Sequence, residues 1–163
     1  MIGLKEAEIR TPGVMTEETF SAANAYNTMH FPSPLEETLL NKRVSYKDII
    51  LKPEKVLTDS KDPDRISRND LAYARYYMAY YVGDFFMTGA NPDAEKDLSP
   101  LGVPKELGEI LENHGMTIPG CFAIDEAQLK EYKFTNEQIS ILKGCLSAFL
   151  GNMLKAKYEP ILE

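Results

Sequence analysis

The sequence predicts a mainly α, single-domain helical bundle preceded by an irregular, partly extended N-terminal arm. Three observations carry that expectation. Helix-capping residues recur in front of apolar runs, those runs follow three- and four-residue spacing, and no stretch alternates long enough for a strand. With 163 residues, 44% of them hydrophobic and 26% charged, the chain has the size and composition of one domain that builds its core without disulfide or metal. We divide it into an arm, 1–33, and a helical domain, 34–163.

In the arm, Thr11-Pro12-Gly13 reads as a turn and His30-Phe31-Pro32-Ser33-Pro34 as non-helical, because each proline drives its predecessor toward extended geometry. Between them Thr16 is placed to cap a short helix reaching about residue 26. Ile9, Val14, Met15, Phe20 and Phe31 are too frequent for a solvated tail and suit an arm lying on its own domain or on a neighbour. The first residues mix charge with apolar side chains and show no secretory signal.

From Ser33 the helix punctuation is dense. Ser33-Pro34-Leu35-Glu36 has a cap, a first-turn proline and a residue placed to close a capping box. Ser45 with Asp48 repeats the signal ahead of Ile49, Ile50 and Leu51. Pro53 then interrupts, and a short turn carries Val56 and Leu57. Ser67 with Asp70 opens the most distinctive helix, 67 to about 87, with Leu71, Ala74, Met78, Val82 and Phe85 at helical spacing and seven of the sixteen aromatics between 73 and 86. Apolar on nearly every face, it reads as a buried central helix. Further helices are expected over 105–113, stopped by His114-Gly115, and from Asp125 and Gln128 to about 132. Thr135 with Gln138 begins a long last helix that Pro160 ends. In it Ile139, Leu142, Leu146, Phe149 and Met153 form a seam for a partner helix. No internal repeat or low-complexity tract is apparent.

Net charge of −7 argues against general nucleic-acid binding, which needs a basic footprint. Charge is uneven: 38–75 holds nine Lys/Arg against six Asp/Glu, net +3, and 93–131 holds three against nine, net −6. Cys121 and Cys145 are too few for a disulfide scaffold. No apolar run approaches the ~20 residues of a membrane span. An intracellular, cytoplasmic setting follows as the expectation, with an organelle or a virion left open.

No catalytic or metal site emerges. Only His30 and His114 offer imidazoles; His114 suits a helix C-terminus, and a Cys121–His114 nucleophile pair is not indicated by spacing. Phosphate-cradling, zinc and nucleophile-elbow motifs are absent. Arg68 and Arg75 share a helical face with Ala72, Ala79 and Gly83; they either grip an anion or rim a groove for close helix packing, the reading preferred here. A second small face, Gly144, Ala148 and Gly151, predicts that the central and last helices pack together. Tyr73, Tyr77 and Tyr81 align at four-residue spacing and, with Arg68 and Arg75, make an alternative pocket for a planar or apolar ligand.

The segment Asp59-Ser60-Lys61-Asp62-Pro63-Asp64-Arg65-Ile66-Ser67-Arg68-Asn69-Asp70 resembles an EF-hand loop entering its second helix, and Gly115 to Glu126 resembles a second. The resemblance implies Asp59 and Asp70 as first and last ligand positions, Ile66 and Phe122 as inter-loop hydrophobes, Gly120 at the tight turn and Glu126 as the terminal carboxylate. Lys61, Pro63, Gly115, Thr117 and Pro119 stand where oxygen ligands belong, and Asp64 where the family has glycine. Calcium takes six to eight oxygens. The resemblance therefore implies degenerate helix–loop–helix units kept for shape, without calcium.

The expected function is a non-enzymatic structural or interaction subunit of a larger assembly, with protein partners and no cofactor, nucleic acid or membrane span. Phe20, Phe31, Ile139, Leu146 and Phe149 are its candidate interface residues. A Tyr-lined ligand-binding protein and a calcium-free EF-hand-like adaptor are the alternatives.

Overall fold

The computed structural model describes residues 22–162 apart from 90 and 91. All regular structure among them is helical: α1 (Ala22–Thr28), α2 (Ser33–Asn41), α3 (Tyr46–Leu51), α4 (Glu54–Leu57), α5 (Arg68–Met87), α6 (Lys105–Asn113), α7 (Ile118–Ala123), α8 (Glu126–Glu131) and α9 (Asn136–Leu162), with 3-10 turns at Pro92–Lys96 and Ser99–Leu101. The mainly α expectation holds. Of the arm, the Thr11-Pro12-Gly13 turn, the Thr16 cap, Ile9, Val14, Met15 and Phe20 lie outside the described residues. Residues 22–33 carry α1 and supply Ala25, Tyr26, Met29 and Phe31 to the same core as the rest of the chain.

Local chemistry explains the helix ends. Ser45 with Asp48 and Thr135 with Gln138 each form a complete capping box, side chain to backbone in both directions. Ser67 and Asp125 accept from the N–H groups of Asp70 and Gln128. Ser33 does not cap: it is already helical, and Pro32 takes the cap position. The segment around Pro119-Gly120, where the EF-hand resemblance implies a tight turn, is α7; Thr117 caps it through the Gly120 N–H, and Pro119 falls in the first turn, where its missing donor costs nothing. In α9 the helix runs on past Pro160 to Leu162.

Among the described residues five have positive φ, His30, Arg43, Gly102, Gly115 and Lys133, and each stands two positions before the cap of a helix. In four of them the next residue (Phe31, Val44, Met116, Phe134) sends its N–H back to the carbonyl five positions earlier, at 2.9–3.1 Å, and turns its apolar side chain inward. This is the Schellman stop, in which a left-handed residue closes one helix and a hydrophobe anchors the turn before the next begins.

That shared connection belongs to a larger repetition, contrary to the absence of a repeat in the sequence reading. Helices α2–α5 and α6–α9 follow one plan. Each half starts with a nine-residue helix capped by proline and continues with a six-residue helix capped by Ser45 or Thr117. A short third helix follows, then a long fourth capped by Ser67 or Thr135. Buried residues correspond in order: Leu35 with Leu107, Leu39 with Leu111, Ile49 with Cys121, Ile50 with Phe122, Leu57 with Leu129, Ile66 with Phe134, Leu71 with Ile139, Met78 with Leu146, Val82 with Leu150 and Phe86 with Leu154. The N–H of Ile66 bonds the Leu57 carbonyl just as that of Phe134 bonds Leu129. The offset is 72 positions up to Leu129 and 68 from Phe134, because the first half has four more residues in that connection.

The halves exchange their long helices. α5 packs chiefly on α7 of the second half, and α9 chiefly on α3 of the first. The predicted pairing of the small faces of α5 and α9 is therefore corrected. A Cβ on Gly83 would meet Pro119 of α7 at 3.7 Å, and one on Gly151 would meet the Tyr46 hydroxyl of α3 at 3.5 Å. Each glycine lets a long helix lie close to a short helix of the other half. Gly144 and Ala148 face outward.

Candidate interaction surface and axial cleft

Reciprocal contact around one axis organises the centre of the molecule. At one end the Glu54 N–H donates to Glu126 Oε2 (3.2 Å) and the Glu126 N–H donates to Glu54 Oε2 (2.9 Å). Each carboxylate also receives a cation from the long helix of its own half: Arg75 Nη1 lies 2.9 Å from Glu54 Oε2, and Lys143 Nζ 2.5 Å from Glu126 Oε2. The cationic side chains are 12% and 13% exposed, and both glutamates 26%. Burial pushes the Glu54 carboxyl up. The Glu126 N–H, the Arg75 guanidinium and the Lys143 ammonium outweigh it and hold Glu54 below the usual carboxylate range. A cavity of about 30 Å³, the size of one water, follows inward between Ile49, Ile50, Cys121, Phe122, Met78 and Leu146.

At the other end α5 and α9 part around an open cleft of about 600 Å³. Its lining is four equivalent pairs: Tyr81 with Phe149, Asp84 with Asn152, Phe85 with Met153 and Thr88 with Ala156. Volume and apolar walls fall within the range of ligand sites.

The outer face of α5 carries a row of large side chains. Tyr73, Tyr76 and Tyr80 are 58%, 57% and 63% exposed, and Met87 65%. They recur at the three–four spacing of a single stripe, directly opposite Leu71, Ala74, Met78 and Val82 in the core. The helix predicted to be buried all round is buried on one face only. Its inward aromatic is Phe86, not Phe85, which lies at the cleft.

The residues of the alternative pocket do not converge. Tyr73 is on the outer face, Tyr77 is half-buried against Phe31 and Tyr76, and Tyr81 lines the axial cleft. Arg68 and Arg75 do border one groove of about 460 Å³, but Glu54, Asp125, Glu126, Lys55 and Lys130 border it too, and Arg75 is committed to Glu54. Of the interface candidates, Phe31, Ile139 and Leu146 lie in the chain's own core, Phe149 is half-buried in the cleft wall, and Phe20 is outside the described residues. His114 stacks on Tyr132 at 3.8 Å between centroids, with Nδ1 2.9 Å from the Ile110 carbonyl oxygen, the helix-end role expected of it. Cys121 is buried in α7, and burial pushes its thiol up to about 12.

The segments that resemble EF-hand loops are built unlike each other. Residues 59–66 form a turn-rich connection, while 118–123 are helical. Among the described residues no group of three or more His, Cys, Asp or Glu is arranged to hold a metal ion, and no helix is long and apolar enough to cross a membrane.

No protein family matches the chain, and neither a curated protein nor a solved structure shows significant similarity to it.

Sequence reasoning missed the glutamate pair and the outer tyrosine row. The first had a signal in Glu54 and Glu126, each directly following a helix cap (Pro53, Asp125). The second had one in the spacing of Tyr73, Tyr76 and Tyr80 opposite the aliphatic stripe.

Proposed function

We propose that this chain is a structural, protein-binding subunit and that the outer face of α5 is its docking surface. The observation that carries this reading is the row Tyr73, Tyr76, Tyr80 and Met87, each more than half exposed, on a 20-residue helix whose other face is anchored in the core. Tyrosine and methionine are enriched where surfaces bind proteins, because they add large contact area at low entropic cost, and contiguous exposed apolar rows mark such sites. The face is held in place because α5 packs on α7, on the 3-10 turn at Pro92–Lys96 and on α3.

The test is a photo-crosslinking residue at Tyr73 in the full chain, compared with the same residue at exposed Glu109 on α6, in extract of the source cell. Protein crosslinks are expected from position 73 and not from 109, and Tyr76→Ser with Tyr80→Ser should remove them. Equal yields at both positions contradict the reading.

A second reading, binding of an apolar small molecule, is favoured by the 600 Å³ axial cleft with Tyr81, Phe85, Phe149 and Met153 on its walls. Native mass spectrometry of the purified protein should then show a retained ligand that Thr88→Trp displaces. A ligand-free spectrum contradicts it.

A further inference from the structure

We infer that the groove between α4, α5 and α8, about 460 Å³ in volume, binds a small phosphorylated molecule through Arg68, Lys55 and Lys130. The inference is independent of the outer face of α5 and starts from the charge that the groove leaves unmatched. Two of its three carboxylates already have cations: Glu54 holds Arg75 and Glu126 holds Lys143, and each also accepts a backbone N–H. The third, Asp125, is engaged as the cap of α8 through the Gln128 N–H at 2.8 Å. Arg68, Lys55 and Lys130 are exposed, and among the described residues none of their side chains forms an ion pair or hydrogen bond. Three free cations thus face one carboxylate, in a chain whose net charge is −7.

Arg68 also stands where its own helix disfavours it. It is the first residue of the 20-residue α5, at the positive end of the helix dipole, where a cation is unfavourable. The repeat shows that the fold does not require it, since the equivalent first residue of α9 is Asn136. Nor does the groove serve helix packing. The close approach expected beside the arginines lies at Gly83, against Pro119, while Ala72 stays exposed in the groove wall. An unpaired cation kept against local preference, in a concave site, is the pattern of a residue held for a ligand.

The surplus charge defines the ligand class. A phosphate monoester carries about −1.5 to −2 at pH 7, which matches three cations set against one carboxylate. Arg68 offers the forked donors that fit phosphate oxygens, and Lys55 and Lys130 add point charges. The volume lies within the range of small-molecule sites, and Ala72 and Ala127 give the remainder of such a molecule a short apolar strip.

The experiment is calorimetric titration of the full chain with inorganic pyrophosphate. It compares wild type with Arg68→Gln, Arg68→Lys, Lys130→Gln and a control, Lys105→Gln, at an exposed lysine of α6 that does not line the groove. We expect one saturable site in wild type that weakens with added salt. Arg68→Gln and Lys130→Gln should each weaken it by about tenfold or more. Arg68→Lys should recover part of that loss, and Lys105→Gln should leave binding unchanged. Because Arg68 opposes its helix dipole, Arg68→Gln should melt no lower than wild type, which separates a ligand contact from a structural role.

No saturable binding, equal affinity in Arg68→Gln, or an equal loss in Lys105→Gln overturns the inference. An Arg68→Gln variant that melts markedly lower shows the arginine to be structural and overturns it as well. Tighter binding of an alanine-flanked phosphoserine peptide than of pyrophosphate would assign the groove to a phosphorylated protein segment and overturn the small-molecule reading.

Discussion

Glu54 and Glu126 each accept a hydrogen bond from the other's backbone N–H, so the starts of α4 and α8 are tied to one another through their first helical residues. Two carboxylates this close would repel. They coexist because each lies at a helix N-terminus, accepts a backbone N–H and is paired with one cation, Arg75 or Lys143. The cations come from α5 and α9, so this cluster fastens the two long helices to the two short ones where the halves meet.

Removing one cation should therefore be felt throughout the fold. Arg75→Met and Lys143→Met each leave a partly buried glutamate short of its partner, and a loss of about 1–3 kcal/mol is expected. Chemical denaturation measures it. Because Arg75 and Lys143 serve a single network, the double variant should depart from additivity.

The same cluster sets an acid limb. Glu54 has its folded pKa below its ordinary value of 4.5, so its contribution is complete above that pH and is lost as pH falls toward the folded value. Between pH 7 and pH 3 the melting temperature of Glu54→Gln should fall less than that of wild type. Parallel profiles would show that Glu54 adds nothing to the acid sensitivity.

The left-handed stops give a second set of outcomes. Arg43 and Lys133 hold φ of 61° and 72° without being glycine, a conformation that costs about 1 kcal/mol for an L side chain. Arg43→Gly and Lys133→Gly should each raise stability by up to about 1 kcal/mol. Gly115→Ala, at φ 68°, should lower it by a similar amount. Thermal melts of the three variants decide the matter.

At Gly83 two substitutions should act in opposite directions. Alanine places a Cβ 3.7 Å from Pro119, an ordinary contact, and recovers about 1 kcal/mol of helix propensity. Leucine overfills the α5–α7 contact and should cost about 1–3 kcal/mol. Ala148→Leu, on the open face of α9, should leave the melting temperature nearly unchanged.

The thiols should separate kinetically. Cys121 is buried with its thiol pushed up to about 12, and Cys145 is half-exposed with a thiol raised less far by the same cause. A thiol reagent at pH 8 should label Cys145 in the native protein and reach Cys121 only through unfolding. Fast labelling of both would show that α7 opens on its own.

Helix identity was legible wherever apolar spacing and caps agreed: the boundaries of α5, the boxes at Ser45 and Thr135, and the His114 stop follow from side chains a few residues apart. What joins the halves was not. Glu54 and Glu126 are 72 positions apart, and their relation is visible only once α4 and α8 meet. The repeat stayed hidden because equivalent core positions keep burial and not identity, as in Ile49 with Cys121 and Tyr46 with Ile118. Pro119-Gly120 reads as a turn by composition, whereas the Thr117 cap makes the same pair the start of α7. The outward tyrosines were misassigned because ring hydrophobicity alone does not distinguish a core face from an exposed one.

The exchange of long helices between halves is the core of this account, and native-state hydrogen exchange in mild denaturant tests it most directly. With α5 resting on α7 and α9 on α3, neither half can open while the other stays folded. The slowest amides of α3, α5, α7 and α9 should therefore converge on one opening free energy, equal to that of global unfolding. If the amides of α3 and α5 instead exchange through a cheaper opening that leaves α7 and α9 protected, the halves fold separately and the interlocked arrangement is wrong.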